Sequence, residues 1–141
     1  MPAEATSSLG RIVRRRFLLA ALVPLVSSVN VSCGAHAGDD ATSRATIRIA
    51  RAHDVAVGAH PSFPDRDGFG RRVTTRDPDA IADLVAAQVE HLAAIASAEG
   101  ATLAHVKPHG ALYNLAAAER AIADAVARGV ARALPGTQLV V

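Results

Sequence analysis

Residues 77–107, DPDAIADLVAAQVEHLAAIASAEGATLAHVK, contain one strongly marked helix followed by a short apolar run. Asp77 is a typical N-cap residue, Pro78 suits the first helical position, and Gly100 suits the position just after a helix. Between them, apolar residues recur every three or four positions and so share one face. The run TLAHV has the length and composition of a buried strand. The stretch therefore predicts a helix that begins at Pro78 and stops at Gly100, and then a strand.

The same alternation extends in both directions along the chain. The predicted strands are VNVSC, VAVGA, TLAHV and QLVV, and the predicted helices between them cover 42–53, 78–99 and 115–134. The order βαβαβαβ is typical of a parallel sheet with helices packed on it. The sequence therefore predicts an α/β fold of parallel β/α units with no internal linker.

Length and composition limit the classes of partner. A chain of 141 residues, 50% of them hydrophobic, can bury the core of about one domain. The net charge of +2 comes from scattered arginines, and 3% aromatic residues provide no stacking platform, which argues against nucleic acid. The single cysteine, Cys33, cannot form an internal disulfide, which fits a reducing compartment such as the cytoplasm. We expect it to be a small buried apolar residue.

The N-terminus permits two interpretations. The run RRRFL at 14–18 and the apolar stretch after it resemble a twin-arginine export signal, with AHA at 35–37 as a cleavage site. The alternative is a helix of the folded domain in a cytoplasmic protein. A membrane span is not expected, because the stretch is short and contains Pro24.

Three histidines follow the carboxyl ends of three predicted strands. His36 follows VNVSC, His60 follows VAVGA and His109 follows TLAHV. The carboxyl ends of parallel strands share one edge of the sheet, where ligands bind. One such histidine is ordinarily a packing residue, but three at equivalent positions favour a site. We therefore expect the three imidazoles to lie in one concave patch.

Lys107 is the only lysine among 15 Lys and Arg residues, and it lies two residues before His109. An ammonium is a compact charge whose pKa falls on burial, whereas a guanidinium stays charged and planar. A surface lysine is the alternative. We expect Lys107 to supply a cation to the same patch.

Cofactor motifs are weak. The GFG at 68–70 lacks a third glycine and a following helix start, and nothing resembles a phosphate-binding P-loop. The histidines with Asp39, Asp65 and Asp67 contain the atoms for a metal site, but no HExxH-type spacing is present. No metal is predicted.

Three blocks, NVSCGAHAGD, VAVGAHPSFPDRDGFGRR and HVKPHGALYN, resemble the motifs of the LamB/YcsF family in order and spacing. The resemblance covers about 22–141 and leaves 1–21 as a divergent N-terminal segment. It implies that 22–141 is a partial, distorted β/α barrel of the glycoside hydrolase/deacetylase type. It also implies that LVPLVSS at 22–28 is a helix of the fold and not an export signal.

The characterised function of that family is the A subunit of the bacterial ATP-dependent 5-oxoprolinase. The resemblance therefore implies an amide-bond hydrolase that opens 5-oxoproline (pyroglutamate) to L-glutamate with ATP hydrolysis. It also implies subunits B and C as partners, with ATP as a co-substrate bound mainly by those partners.

Opening a lactam requires a base and a cation near the developing negative charge. We expect either His60 or His109 to be the general base, with Lys107 as the charge clamp. The candidate catalytic residues are His60, Asp65, Lys107 and His109, and the candidate substrate-binding residues are His36, Asp39, Tyr113 and Asn114. Asp39 or Asp65 would orient the reacting groups, and for Asn114 a helix cap is the favoured alternative.

Two departures from the family pattern matter. The family opens with an acidic Asp-x-Asn-x-Asp-x-Gly-Glu strand, where this chain has SSLGRIVRRRF, and the chain stops at QLVV, about halfway along a family member. We therefore expect an open sheet and no 5-oxoprolinase activity from these 141 residues. The alternatives are a metal-dependent carbohydrate deacetylase-like hydrolase and a non-catalytic association fragment.

Overall fold

The computed structural model describes residues 18–141, in which strands and helices alternate. The strands are β1 (Ser28–Ser32), β2 (Ala56–His60), β3 (Leu103–Val106) and β4 (Gln138–Leu139). The α-helices that follow them are α1 (Asp40–Ala52), α2 (Pro78–Ala98), α3 (Gly110–Ala118) and α4 (Arg120–Ala133). Residues 18–22 are also helical, and a 3-10 turn at Val23–Leu25 leads toward β1.

The four strands form one parallel sheet in the order β1-β2-β3-β4. Each strand therefore pairs with the next strand along the chain, after a helical crossover. This confirms the predicted α/β fold of parallel β/α units. The arginine run at 14–16 and the segment SSLGRIVRRRF lie outside the described residues.

One face of the sheet, here called the covered face, packs against the helices. It is formed by Val31, Val57, Ala59, Leu103 and Val106, all of them buried. These side chains join the apolar faces of the helices in one core cluster. Burial of this kind stabilises the fold by roughly 25 cal/mol per Å² of apolar surface.

The other face, here called the open face, carries Asn30, Gly58, His60, His105 and Lys107. Asn30, Gly58 and His105 are register partners on β1, β2 and β3. A cavity of about 380 Å³ lies over this face, bordered by side chains that include Asn30, His105 and Lys107. Successive residues of a strand point to opposite faces, so the same strands build both surfaces.

A β-bulge sets which residues of β3 reach the open face. Val57 pairs with Leu103, but the next residue of β2, Gly58, pairs with His105, so Ala104 is an extra residue. Without the bulge, Leu103 and His105 would share one face. With it, Leu103 points to the helices while His105 and Lys107 point away from them.

The predicted helix over 115–134 is wrong in two respects. The structure has two helices, α3 and α4, separated at Glu119, whose φ of −126° and ψ of 112° are extended. The Glu119 N–H donates to the Leu115 carbonyl and ends α3, while the Glu119 carbonyl accepts the N–H of Ile122 and of Ala123 and starts α4. Moreover, α3 begins at Gly110, so Asn114 lies inside the helix and is not its cap.

The segment LVPLVSS at 22–28 is only partly helical. The helical turn ends at Leu25, and Ser28 already belongs to β1. The predicted helix from Thr42 begins two residues earlier, at Asp40, because the Asp39 carboxylate accepts the Thr42 N–H and caps it.

Helix α2 has the predicted ends. The Asp77 carboxylate accepts the N–H of Asp79, and Gly100 follows the helix with a φ of +71°. Among the described residues, α2 is long and apolar enough to cross a bilayer, but the helix packs against α4 and has buried residues along its length. It is therefore a core helix of this fold.

Candidate functional site

The three strand-end histidines form one cluster. His60 is the last residue of β2, His36 lies in the loop after β1, and His109 is the N-cap of α3. The rings of His36 and His109 are stacked, with centroids 3.9 Å apart and planes 7° apart, and His60 meets His109 edge-on at 4.8 Å. The prediction that the three imidazoles meet at one edge of the sheet is confirmed, but the cavity described below is bordered by His60 and His109 and not by His36, which is buried, so substrate binding by His36 stays a prediction.

Backbone pairing beyond β3 brings His109 to this position. The Lys107 N–H donates to the Ala59 carbonyl at 2.9 Å, and the His109 N–H donates to the Pro61 carbonyl at 2.8 Å. The backbone of residues 107–109 is thereby paired with that of residues 59–61, which extends the pairing of β2 and β3. His60 and His109 consequently lie side by side at the carboxyl edge.

His36 is held as a neutral ring. The Ser62 hydroxyl donates to the Phe63 carbonyl at 3.0 Å, so the Ser62 oxygen accepts the proton of His36 Nδ1 at 2.7 Å. The other nitrogen, Nε2, then accepts from the Ser32 hydroxyl at 3.2 Å. His36 is only 3% exposed. Burial, with the nearby charges of His109, His60 and Arg66, lowers the pKa of His36 from 6.5 to about 4.

His60 and His109 form a hydrogen-bonded pair. His60 Nδ1 donates to the Lys107 carbonyl at 2.6 Å, His60 Nε2 lies 3.0 Å from His109 Nδ1, and His109 Nε2 donates to the Phe69 carbonyl at 2.8 Å. Burial lowers the pKa of His60, and the hydrogen bond to the Lys107 carbonyl offsets part of that decrease. Each nitrogen of the pair thus has a fixed partner.

Lys107 faces the same space as the histidine pair. A cavity of about 310 Å³ is bordered by His60, Lys107, His109, Tyr113 and Asn114, together with Pro108 and Gly110. Tyr113 and Asn114 therefore reach the cavity from α3. Both were expected to bind the substrate. Binding of substrate by them stays a prediction.

The loop after β2 closes the cluster from one side. Phe69 has a φ of +56°, and its ring meets the edges of His36 and His109 at 5.2 Å. The Gly70 carbonyl accepts the N–H of Ala111 at 3.0 Å, which ties the loop to α3. Gly110 permits this approach, because a Cβ there would lie 2.5 Å from that carbonyl oxygen.

Asp65 holds this loop and does not contact a histidine. Its carboxylate accepts the backbone N–H of Gly68 and of Arg72 and pairs with the Arg72 guanidinium at 2.5 to 2.9 Å. These contacts lower the pKa of Asp65, with the Arg72 side chain the main cause. These contacts give Asp65 a structural role in the loop, and its expected part in orienting the reacting groups stays a prediction.

Asp39 and Cys33 both have structural partners. Asp39 caps α1, so its oxygen has a backbone partner, and a substrate-binding role stays a prediction. Cys33 is half-buried and donates weakly to the Val31 carbonyl, and burial raises the pKa of its thiol to about 12. The cysteine packs against the apolar core but is less buried than expected.

A metal site is not formed by the cluster. Among residues 18–141, no group of three or more His, Cys, Asp or Glu side chains is arranged to hold a metal ion. Each ring nitrogen of His36, His60 and His109 has a hydrogen-bond partner within the described residues.

Sequence reasoning missed three residues that position the cluster and one that fixes a histidine outside it. Ser32 and Ser62 fix His36, and the Phe69 carbonyl holds His109. The Asn30 side chain bonds His105 at 2.7 Å. Serine and asparagine next to a histidine block carry no local signal of their own. Among these residues, Ser62 alone has a possible sequence signal, because it follows His60 by two positions in HPSF.

Comparison with known proteins gives one family. The chain matches the LamB/YcsF family over residues 13–141. It is 58% identical over 110 residues to the 5-oxoprolinase A subunit of Chloroflexus aggregans, which is 78% of this chain and 44% of that protein. The corresponding subunit of Symbiobacterium thermophilum is 54% identical over 110 residues, 42% of its length. The chain thus spans less than half the length of these curated relatives.

A solved structure has the same fold. The crystal structure of a lactam utilization protein from Thermus thermophilus superimposes with a TM-score of 0.83 at 47% sequence identity. The superposition covers 87% of this chain and 50% of that one. The parallel β/α units described above therefore correspond to part of a larger β/α protein.

Proposed function

The chain belongs to the LamB/YcsF family, and we propose that it supplies the lactam-opening site of a 5-oxoprolinase A subunit. In the proposed reaction the ring amide of 5-oxoproline is hydrolysed to L-glutamate, coupled to ATP hydrolysis. The names of the relatives support the assignment to this subunit. The side chains of the site support the reaction itself.

One observation carries the proposal: an ammonium group and a hydrogen-bonded imidazole pair border a single cavity. Lys107, His60 and His109 reach that cavity from the ends of two neighbouring strands. Its volume of about 310 Å³ suits a five-membered lactam acid. Rigid backbone hydrogen bonds hold both histidines, as catalysis by positioning requires.

The proposed reaction requires these residues to stabilise a negative charge and to transfer a proton. Negative charge develops on the lactam oxygen when a hydroxyl group adds to the ring carbon, and Lys107 would stabilise that charge. The carbon–nitrogen bond then breaks, and the departing nitrogen must gain a proton. The His60–His109 pair would transfer that proton, taken in turn from the attacking water.

ATP enters as a co-substrate. We propose that ATP is held mainly by partner subunits B and C, since the chain contains no P-loop motif. The cytoplasm is the proposed compartment. We further propose that the chain alone, without the parts of the relatives that it does not match, releases no glutamate.

The test is a chimera in which the matched region of a full-length relative is replaced by residues of this chain. Mixed with subunits B and C, 5-oxoproline and ATP, the chimera should release glutamate at a rate close to that of the unaltered relative. A folded chimera that releases none would contradict the proposal. Glutamate release by the 141-residue chain alone would contradict the need for the unmatched parts.

A metal-dependent carbohydrate deacetylase is the alternative of a different class. It requires a metal-ligand set, and the hydrogen-bonded histidines of the described residues do not favour one. Metal analysis of the purified chain distinguishes the two, since a stoichiometric transition metal in a protein that does not open 5-oxoproline would support the alternative.

A further inference from the structure

We infer that His60 and His109 carry one excess proton between them, and that with Lys107 they make the cavity a binding site for a small carboxylate. The inference deepens the proposed function. Only the identity of the carboxylate, 5-oxoproline, rests on that proposal. The charge of the pair follows from the number of protons that its hydrogen bonds require.

The two ends of the pair fix two protons. The Lys107 and Phe69 carbonyl oxygens have no proton to donate. His60 Nδ1, 2.6 Å from the first oxygen, and His109 Nε2, 2.8 Å from the second, must therefore both be N–H groups.

The contact between the rings fixes a third proton. His60 Nε2 and His109 Nδ1 are 3.0 Å apart, a hydrogen-bond distance. Two lone pairs facing each other at that distance would repel, so one of the two nitrogens is protonated. Two neutral imidazoles hold two protons, whereas this arrangement holds three. The pair therefore has a charge of +1.

The surroundings indicate where that charge lies. Burial lowers the pKa of His60 and so disfavours placing the charge on that ring. The titratable and charged groups next to the pair are neutral His36, His105 and Lys107, while Arg66 acts on His36 and Arg71 lies over the Phe69 ring. The stacked His36 ring, whose pKa burial lowers to about 4, is the uncharged neighbour of the pair.

The cavity is consequently cationic. Lys107 and the pair contribute two positive charges, and among the described residues that border the cavity there is no Asp or Glu. Tyr113 and Asn114 add neutral donors. A small carboxylate is the ligand that such a cavity attracts, and 5-oxoproline carries one. At rest the pair is then an acid: it can give its excess proton to the departing nitrogen, and the proton of the attacking water then restores it.

Nitrogen NMR of the 141-residue chain with ¹⁵N-labelled histidine tests the proton count. The pH is varied between about 5 and 9, a range that includes the usual pKa of histidine. We expect three protonated nitrogens in the pair at the acidic end and one in His36. The excess proton should leave in a single step. Two protons in the pair throughout the range would overturn the inference.

Three ligands test the charge of the cavity in the same experiment: L-5-oxoproline, 2-pyrrolidone, which is the same ring without the carboxylate, and acetate. We expect 5-oxoproline and acetate to shift the His60 and His109 signals and to raise the pH at which the excess proton leaves, because an anion favours the cationic pair. No such effect is expected for 2-pyrrolidone. Equal binding of 2-pyrrolidone and 5-oxoproline, or no effect of either carboxylate, would overturn the inference.

A matched pair of variants separates this site from general charge effects. Lys107→Gln should weaken binding of 5-oxoproline by about tenfold or more, as for loss of one charge-assisted hydrogen bond. Arg76→Gln, at an exposed arginine that pairs with Glu119, should leave it unchanged. Equal weakening by both variants would contradict a cavity site. If acetate acts on the pair but 5-oxoproline does not, the carboxylate site stands and the lactam-opening proposal fails.

Discussion

The two faces of the sheet are built by alternate residues of the same strands, yet they differ in composition and contacts. On the covered face Val31, Ala59 and Val106 are at most 5% exposed and belong to one apolar cluster. On the open face the His105 ring lies across Gly58 and bonds Asn30 on the far side. One face supplies apolar burial, and the other presents polar side chains at fixed positions.

The difference has a practical meaning for substitutions. Changes on the covered face should lower the free energy of unfolding and leave the chemistry of each folded molecule intact. Changes on the open face and at its carboxyl edge should alter the chemistry and leave the free energy of unfolding nearly unchanged. Substitutions on both faces test this difference.

The largest effect is expected at the carboxyl edge. In the active chimera, His109→Ala should lower glutamate release by about a thousandfold, within the range for loss of a general acid or base. Activity measured beside His53→Ala, at the exposed C-cap of α1, provides the control, which should keep its rate. A rate loss below about tenfold for His109→Ala would mean that the pair is structural.

The next effect compares a glycine at a contact between two helices with a glycine on the open face of the sheet. A Cβ at Gly129 in α4 would lie 2.6 Å from the Ala82 carbonyl oxygen of α2, so Gly129→Ala should cost about 1–3 kcal/mol of unfolding free energy. A Cβ at Gly58 would meet the His105 ring at 2.1 Å, but that ring can swing into the open cavity. Gly58→Ala should therefore cost about 1 kcal/mol, mainly the bond to Asn30.

Urea unfolding of the two glycine variants measures these costs. Equal destabilisation would mean that the open face is packed as tightly as the helix contacts. A larger loss for Gly58→Ala would contradict the separation of the faces directly.

A further prediction concerns the pH dependence of stability. His36 has a pKa of about 4 in the folded chain against 6.5 when unperturbed. The unfolded chain therefore binds a proton that the folded chain does not, and stability present above pH 6.5 falls as the pH drops toward 4. Urea midpoints measured across this window should fall for the parent chain and change less for His36→Gln. An identical slope in both would contradict a buried neutral His36.

The parts of the fold that the sequence predicts are those with local signals. The ends of α2 follow from Asp77, Pro78 and Gly100, which act through their own backbone neighbours. The meeting of the three histidines follows from topology, because parallel strands bring their carboxyl ends to one edge. Neither inference requires knowledge of a distant contact.

The parts that escape prediction depend on distant contacts or on backbone irregularity. The bulge at Ala104, which directs His105 and Lys107 to the open face, has no marker in the run TLAHV. The break at Glu119 interrupts a pattern that remains apolar on both sides. The protons of the histidines depend on Ser62 and on the Phe69 carbonyl, far from them along the chain.

The most direct test of the central claim uses two neighbouring residues of the chain that point to opposite faces, Val106 and Lys107. In the active chimera, Val106→Ala should lower the free energy of unfolding by about 2 kcal/mol while glutamate release per folded molecule is kept. Lys107→Arg should leave the unfolding free energy within about 0.5 kcal/mol and lower glutamate release by about a hundredfold. If Lys107→Arg keeps its rate, or if Val106→Ala loses turnover as severely as Lys107→Arg, the open face does not carry the chemistry.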